Sequence, residues 1–462
     1  MSVPIIHLTE PEGIADTQDC APNDIDHEVE KNLYGTAQEN GPYHFEVTLA
    51  HFSVKEYLIS TDIQTGPVKD YAVTEQDASK LIAETCLAYL LQFNAKPTLT
   101  YHAIWRFPLA LYAAQHWPAH YKDAKEEGGL LMQLAMELLR SGGFFNCVSL
   151  YHPVTESSRF GNFRTLDRSF LPLHYTCAHG MTDLLTCVLE ESTKAIVVDG
   201  LGDINAMSNF GSALAIASSR GYLDTVQVLV DERANVDLWW RQLDGVPLKY
   251  KDMKHNDVPG HDDNLVPVSF GTSSSALYSA CREGHEAIVR LLLDSNADAN
   301  LTGGHYGTPL HVATATQNEG MVRVLLNHKV DVEVSVEPYG TALHVASSEG
   351  LESIARLLLD GGAEVNVGGG KALHSASARG HTGVVRLLVD RSAEVNVRGD
   401  KHGYALQAAS IEGHESVVRL LLERGADVNA GGDQDGSALH SASAYGSASS
   451  EYYATVEKRS LC

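Results

Sequence analysis

The second half of the chain repeats itself, and that constrains its fold more than any other feature. Six segments align: one from Gly211, one from Ser274, and others from Gly307, Gly340, Gly370 and Gly403. A shorter copy, GSALHSASAYG, starts at Gly436. The marker leucines are Leu214, Leu277, Leu310, Leu343, Leu373, Leu406 and Leu439, at spacings of 63, 33, 33, 30, 33 and 33 residues. Within a unit, Gly-Thr or Gly-Ser supplies a hydroxyl to cap the free N–H groups of a short helix. Leu343 and Ala346 exemplify a small-residue face suited to close stacking. Gly350, Gly380 and Gly413 end that helix where a left-handed backbone is easiest. A second helix carries apolar residues at i, i+3, i+4 spacing, as in Val417, Val418, Leu421 and Leu422. One unit cannot bury this face alone, so neighbours must stack.

A 33-residue period containing Thr-Pro-Leu-His resembles the ankyrin repeat. The expected fold is therefore all-α: a small helical, winged-helix-like region followed by an ankyrin-repeat solenoid. Expected boundaries are an acidic, disordered lead over residues 1–41, a helical region over 42–165, the solenoid over 166–446, and a terminal cap or truncated end over 447–462. LPLHYTCAHGMTDLLTCVLEES from Leu171 reads as a divergent first repeat.

Departures from the period carry information. Gly368-Gly369-Gly370 replaces a longer loop and shortens one fingertip by three residues. Gln317 replaces a helix-ending glycine. Asn318, which tolerates a left-handed conformation, follows it, and a strained or shifted turn is expected there. The 63-residue step holds extra material, residues 239–270, read as an inserted loop in preference to a decayed repeat.

In the first half, residues 1–30 carry eight acidic residues and no Lys or Arg. Alternation from His44 to Ala50 predicts a strand, and Ser53 to Glu56 a capping box. A helix is expected over residues 78–93, with Ile82, Cys86, Tyr89, Leu90 and Phe93 on one face. Another opens at Pro108 and runs to Trp117, and a third spans 130–139. The strings LAHFSVKEYLIS (Leu49 to Ser60), Cys86-Leu87-Ala88-Tyr89-Leu90 and FPLALYAAQHW (Phe107 to Trp117) resemble a region of fungal NACHT–ankyrin proteins. That region lies between the nucleotide-binding domain and the repeats. These proteins are STAND NTPases, similar in plan to NLR immune receptors. The resemblance implies a signalling switch with the repeats as sensor or scaffold. No Gly-x-x-x-x-Gly-Lys-Ser/Thr occurs in the chain, so nucleotide hydrolysis is not carried over.

Composition narrows the function further. With 34 Lys plus Arg against 59 Asp plus Glu, the net charge is −25, which disfavours nucleic acid and anionic membranes as partners. Seven scattered cysteines without Cys-x-x-Cys fit free thiols in a reducing compartment, and no secretory leader is evident, so an intracellular, cytoplasmic protein is expected. His174, His311, His344, His374 and His440 recur about one repeat apart, too far for one metal, and are expected to bond loop backbone between repeats. His285-Glu286 and His414-Glu415 begin like a zinc-protease motif, but Val289 and Val418 stand where the second ligand belongs. Arg290, Arg323, Arg356, Arg386 and Arg419 form a column. Four of them follow a glutamate, Glu286, Glu319, Glu352 or Glu415, by four residues, as helix-stabilising pairs. A polar group in the insert, His255, Asp257, His261, Asp262 and Asp263, reads as a solvated loop.

These patterns point to no catalytic residue, cofactor or metal ligand. They leave surface. The fingertips carry His305 and Tyr306, Glu337 and Tyr339, Lys401 and His402, and Gln434 and Asp435, and the insert opens on Trp239 and Trp240. These ten residues are the candidates for contacting a protein partner of unknown identity.

Overall fold

The computed structural model describes residues 74–94, 107, 109–124, 129–154, 170–194, 203–208, 210–238, 275–303, 306–399 and 403–430. The chain divides into two compact units, Met1–Ala78 and Ser79–Cys462, and the described residues fall almost wholly in the second. The expected strand at His44, the capping box at Ser53, Pro108 and the short copy at Gly436 with His440 lie outside the described residues.

Among the described residues, four helices precede the repeats: α1 (Glu75–Leu91), α2 (Leu109–Ala124), α3 (Leu130–Arg140) and α4 (Gly143–Leu150). The apolar face expected on α1 is the buried one. Cys86, Leu90 and, just past its end, Phe93 are buried, while Ile82 and Tyr89 pack partly against the core. Helix α2 corrects the expected end at Trp117: it continues through Pro118 to Ala124. The missing N–H at Pro118 costs a helical bond. Trp117 and Tyr121, both buried, hold the turns on either side in the core. Helix α4 was not expected. Its sequence, GFFNCVSL, is too short and too uniformly apolar to show a helical period.

Helices pair from there on. The pairs are α5 (Pro172–His179) with α6 (Thr182–Lys194), α7 (Ala213–Arg220) with α8 (Leu223–Asp231), and α9 (Ala276–Glu283) with α10 (Glu286–Asp294). They continue as α11 (Pro309–Ala315) with α12 (Glu319–Asn327), α13 (Ala342–Ser348) with α14 (Glu352–Asp360), α15 (Val367–Ala378) with α16 (Thr382–Asp390), and α17 (Ala405–Ile411) with α18 (Glu415–Glu423). Odd-numbered members form an inner row and even-numbered members an outer row, each packing on its counterpart in the next pair. One apolar cluster runs from α1 to α18. Tyr175 of α5 joins the leading helices to it: its ring stacks on Trp117 at 5.9 Å and meets Phe144 edge-on at 5.6 Å. Each wholly buried leucine of the outer row adds about 1.5–3 kcal/mol of transfer free energy, so sharing a face between pairs is what makes the stack stable.

The pairs are joined by tips. One is a hairpin of β1 (Met207–Ser208) and β2 (Gly211–Ser212), with Met207 opposite Ser212. Others close through single bridges, Gly303 with Gly307, Val336 with Gly340, and Arg398 with Tyr404. At the short tip, Gly368, Gly369 and Gly370 take φ of 68°, 71° and 74° in succession. Three left-handed residues in a row are affordable only for glycine.

The expected strain around Gln317 resolves in an instructive way. Gln317 itself takes the left-handed position, at φ 58°, while Asn318 has φ −91° and caps α12 by accepting from Met321 N at 3.0 Å. The turn is not shifted: Asn318 N donates to Ala313 O, as His285 N donates to Ala280 O in the preceding pair.

The α7–α8 and α9–α10 pairs are direct neighbours in the stack. His285 Nε2 lies 3.2 Å from Ser219 O, and Asp298 N donates to Asp237 Oδ1 at 2.7 Å.

Candidate interaction surface

Each inner helix begins at a tip and ends at a corner, and different ties hold the pairs together at these two ends. At the tips, a side-chain oxygen of one repeat accepts the backbone N–H of an equivalent residue in the next. The series runs Asn205 to Asn235, Asp237 to Asp298, Asn300 to Asp331, Glu333 to Glu364, Asn366 to Glu394 and Asn396 to Asp427, at 2.7–2.9 Å. This ladder of six bonds fixes the spacing of seven successive exit segments at the tip side.

At the corners, an imidazole from the next repeat lies beneath the helix-ending glycine. His285, His381 and His414 place Nε2 at 3.2, 3.0 and 3.1 Å from the carbonyls of Ser219, Ser348 and Ala378. A Cβ on Gly221, Gly350 or Gly380 would meet those rings at 2.5–2.6 Å, so glycine is needed for close approach as well as for its backbone. The two His-Glu dipeptides that mimic a protease motif are thus structural, and the tip ladder too was missing from the sequence reading. Both leave a signal at the repeat period: a Gly-His pair at the corner and an Asn or Asp in the exit segment.

The histidines of the Thr-Pro-Leu-His position also bond between repeats. His174 Nε2 lies 3.0 Å from Ala206 O, His311 Nε2 lies 2.8 Å from Gly340 O, and His344 Nε2 lies 2.8 Å from Ser375 Oγ. Burial pushes the His311 pKa down, partly offset by the bond to Gly340 O, so this imidazole serves as a neutral hydrogen-bonding group. His179 is shifted further, down to about 3, by burial and then by the positive charges of Lys122 and Arg220 and by His152.

Of the ten candidate contact residues, Tyr306, Glu337 and Tyr339 fall among the described residues. Trp239, Trp240, His305, Lys401, His402, Gln434 and Asp435 lie outside them. The structure brings Tyr306 and Tyr339 together, with ring centroids 5.6 Å apart at 50°. Both are half-buried and Glu337 is exposed. Tyr306 is anchored from below, its backbone N–H donating to Tyr278 Oη at 3.1 Å. The result is an aromatic ledge across two neighbouring tips with a carboxylate beside it. Two of the column arginines pair within their helices, Arg290 with Glu286 at 2.6 Å and Arg356 with Glu352 at 2.9 Å, both exposed. Such pairs contribute only about 0.3–0.5 kcal/mol each.

Among the described residues no group of three or more His, Cys, Asp or Glu could hold a metal ion, and no helix is long and apolar enough to cross a membrane. The five described cysteines are free. Burial raises the Cys86 thiol to about 12 and Cys147 to about 11, so neither offers a thiolate nucleophile near neutrality.

Comparison with known proteins agrees with this geometry. The family model "Ankyrin repeats (3 copies)" matches residues 259–336, 277–368, 332–399 and 368–432. The fold is an all-α ankyrin-repeat solenoid. The chain is 29% identical over 208 residues to the azaphilone pigments biosynthesis cluster protein L of Monascus ruber, covering 43% of each chain. It is 34% identical over 148 residues to the B-cell lymphoma 3 protein homolog of Mus musculus, covering 30% of this chain and 32% of that one. The chain thus spans less than half the length of these relatives. The human ASB11 ankyrin repeat domain matches over 54% of this chain and 97% of its own, at 24% identity and a TM-score of 0.40.

Proposed function

We propose that this protein is a non-catalytic scaffold that binds another protein through its tips, with the Tyr306–Tyr339 ledge and Glu337 at the centre of the contact. The observation that carries the reading is the ladder. It holds seven successive exit segments on the tip side at fixed spacing and so presents a preorganised surface, which lowers the ordering cost of binding. Tyr at such a position supplies large contact area with few rotatable bonds. By their place in the repeat sequence, His305, Lys401, His402, Gln434 and Asp435, with Trp239 and Trp240 at the start of the insert, are proposed as further contact residues. The domain plan that goes with this reading keeps a helical region before residue 166 and a solenoid from there to 446, in an intracellular setting.

The test is affinity capture from the native cell with wild-type protein and with Tyr306→Ala/Tyr339→Ala and Glu337→Arg variants of unchanged melting temperature. The reading expects specific captured proteins to be lost with the tip variants. Capture that is indifferent to all three changes contradicts it.

A second reading rests on the strings at residues 49–60, 86–90 and 107–117. It makes the chain the sensor part of a STAND-type switch whose nucleotide-binding domain is encoded with it or beside it. Sequencing the native transcript through its 5′ end tests this. A P-loop in the same frame upstream supports it, and an in-frame stop before Met1 removes it.

A further inference from the structure

The corner ties described above are not continuous. The α7–α8 to α9–α10 junction has His285 against Ser219 O, and the junctions after α13–α14 and after α15–α16 have His381 and His414. The two later junctions add exposed cross-repeat ion pairs, Arg391 with Asp360 at 2.8 Å and Arg424 with Asp390 at 2.5 Å. The α11–α12 pair sits between two junctions that lack the imidazole tie. On its N-terminal side the residue at the histidine position is Asn318, whose carboxamide oxygen is used to cap its own helix. There the outer helices pack through their apolar faces, and the ion-pair position between them is held by His328 Nε2, 3.5 Å from Asp294 Oδ1. On its C-terminal side both partners of the tie are changed. Gln317 replaces the glycine and Leu351, with no polar atom, replaces the histidine.

The tip side of the same two junctions is fully tied. Tyr306 N donates to Tyr278 Oη, His311 Nε2 meets Gly340 O, and the ladder bonds from Asn300 to Asp331 and from Glu333 to Glu364 are intact. The Tyr306–Tyr339 contact also spans the second junction on this side. One edge is pinned and the other unlatched.

We propose that the solenoid contains a built-in hinge at the α11–α12 repeat. The stretches α7–α10 and α13–α18 each move as a unit, and the corner edge between them opens and closes about the pinned tips. A ligand seated across Tyr306 and Tyr339 would then sit on the pivot and be sensitive to the curvature of the stack. The hinge itself does not depend on any ligand.

Spin-label distance distributions test it on the full chain, with Cys20, Cys187 and Cys462 changed to Ser. Ala287→Cys paired with Ser353→Cys spans the two untied junctions. Ser353→Cys paired with Ser416→Cys spans two tied ones. All three positions are exposed and occupy the same place in their outer helices. The proposal expects the first distribution to be at least twice as wide as the second. It also expects Gln317→Gly with Leu351→His to narrow the first to the width of the second. The reciprocal change, Gly350→Gln with His381→Leu, is expected to broaden the second. Equal widths in the unmodified background, or widths indifferent to both exchanges, overturn the hinge.

Discussion

Gly380 and Gly425 both hold positive φ, 76° and 89°, yet only Gly380 has a ring beneath it, with His414 Nδ1 2.6 Å from where a Cβ would sit. No described residue lies within 4 Å of the corresponding point on Gly425. Alanine at either site bears the left-handed penalty of about 1–2 kcal/mol. At Gly380 it also displaces the imidazole and its bond to Ala378 O, a further loss of about 1 kcal/mol. Urea unfolding of the two variants should therefore separate them by that amount, and equal losses would show that the imidazole tie contributes nothing. The converse holds at Gln317, whose φ of 58° strains a non-glycine residue. Gln317→Gly should raise stability by about 1 kcal/mol, read from the same denaturant midpoint. The imidazoles also set a pH dependence. The folded pKa of His179 lies near 3, below its ordinary 6.5. Between those values the unfolded chain binds the extra proton, so stability falls as pH drops from about 6.5 toward 3, by up to about 1.4 kcal/mol per pH unit. His179→Phe keeps the ring against Tyr175 and should flatten the decline between pH 7 and pH 5 relative to wild type. An unchanged slope would assign it to other groups.

Elements were legible where a period could be counted. Leucine spacing located the inner helices from α7 onward, and the 3.6-residue pattern located their outer partners and α1 and α3. The sequence was less informative where one residue does two jobs. Pro118 reads as a stop, but packing of Trp117 and Tyr121 carries α2 past it. GFFNCVSL shows no period because nearly all of it is buried. The tip ladder was hidden in an exit segment that looks merely polar, since a hydrogen bond to the neighbouring repeat is invisible until the stacking register is known. Asn366→Ala removes one rung by freeing Glu394 N, which is exposed enough to find water. The expected loss is about 0.5–1 kcal/mol, with faster amide exchange confined to the tips on either side. Exchange that quickens uniformly along the stack would mean that the rung is not a local tie. The candidate contact surface was only partly legible. Tyr306 and Tyr339 stand out as aromatics at tips, but their pairing across repeats follows from the stacking, and Tyr306 also packs against the edge of the core.

At the scale of the whole molecule, the account rests on one uninterrupted stack from α5 to α18 that presents a row of tips. Its most exposed claim is that the pairs on either side of residues 239–270 are neighbours, joined by His285 to Ser219 O and by Asp298 N to Asp237 Oδ1. Deleting residues 240–269 restores the 33-residue spacing between Leu214 and Leu277. Shortening the connection also lowers its closure entropy by about 1 kcal/mol. Thermal unfolding followed by far-UV circular dichroism measures the result. The account predicts a single cooperative transition at the wild-type temperature or a few degrees above it. A transition that splits in two, or a fold lost on deletion, would show that the segment is part of the stack and would contradict the account.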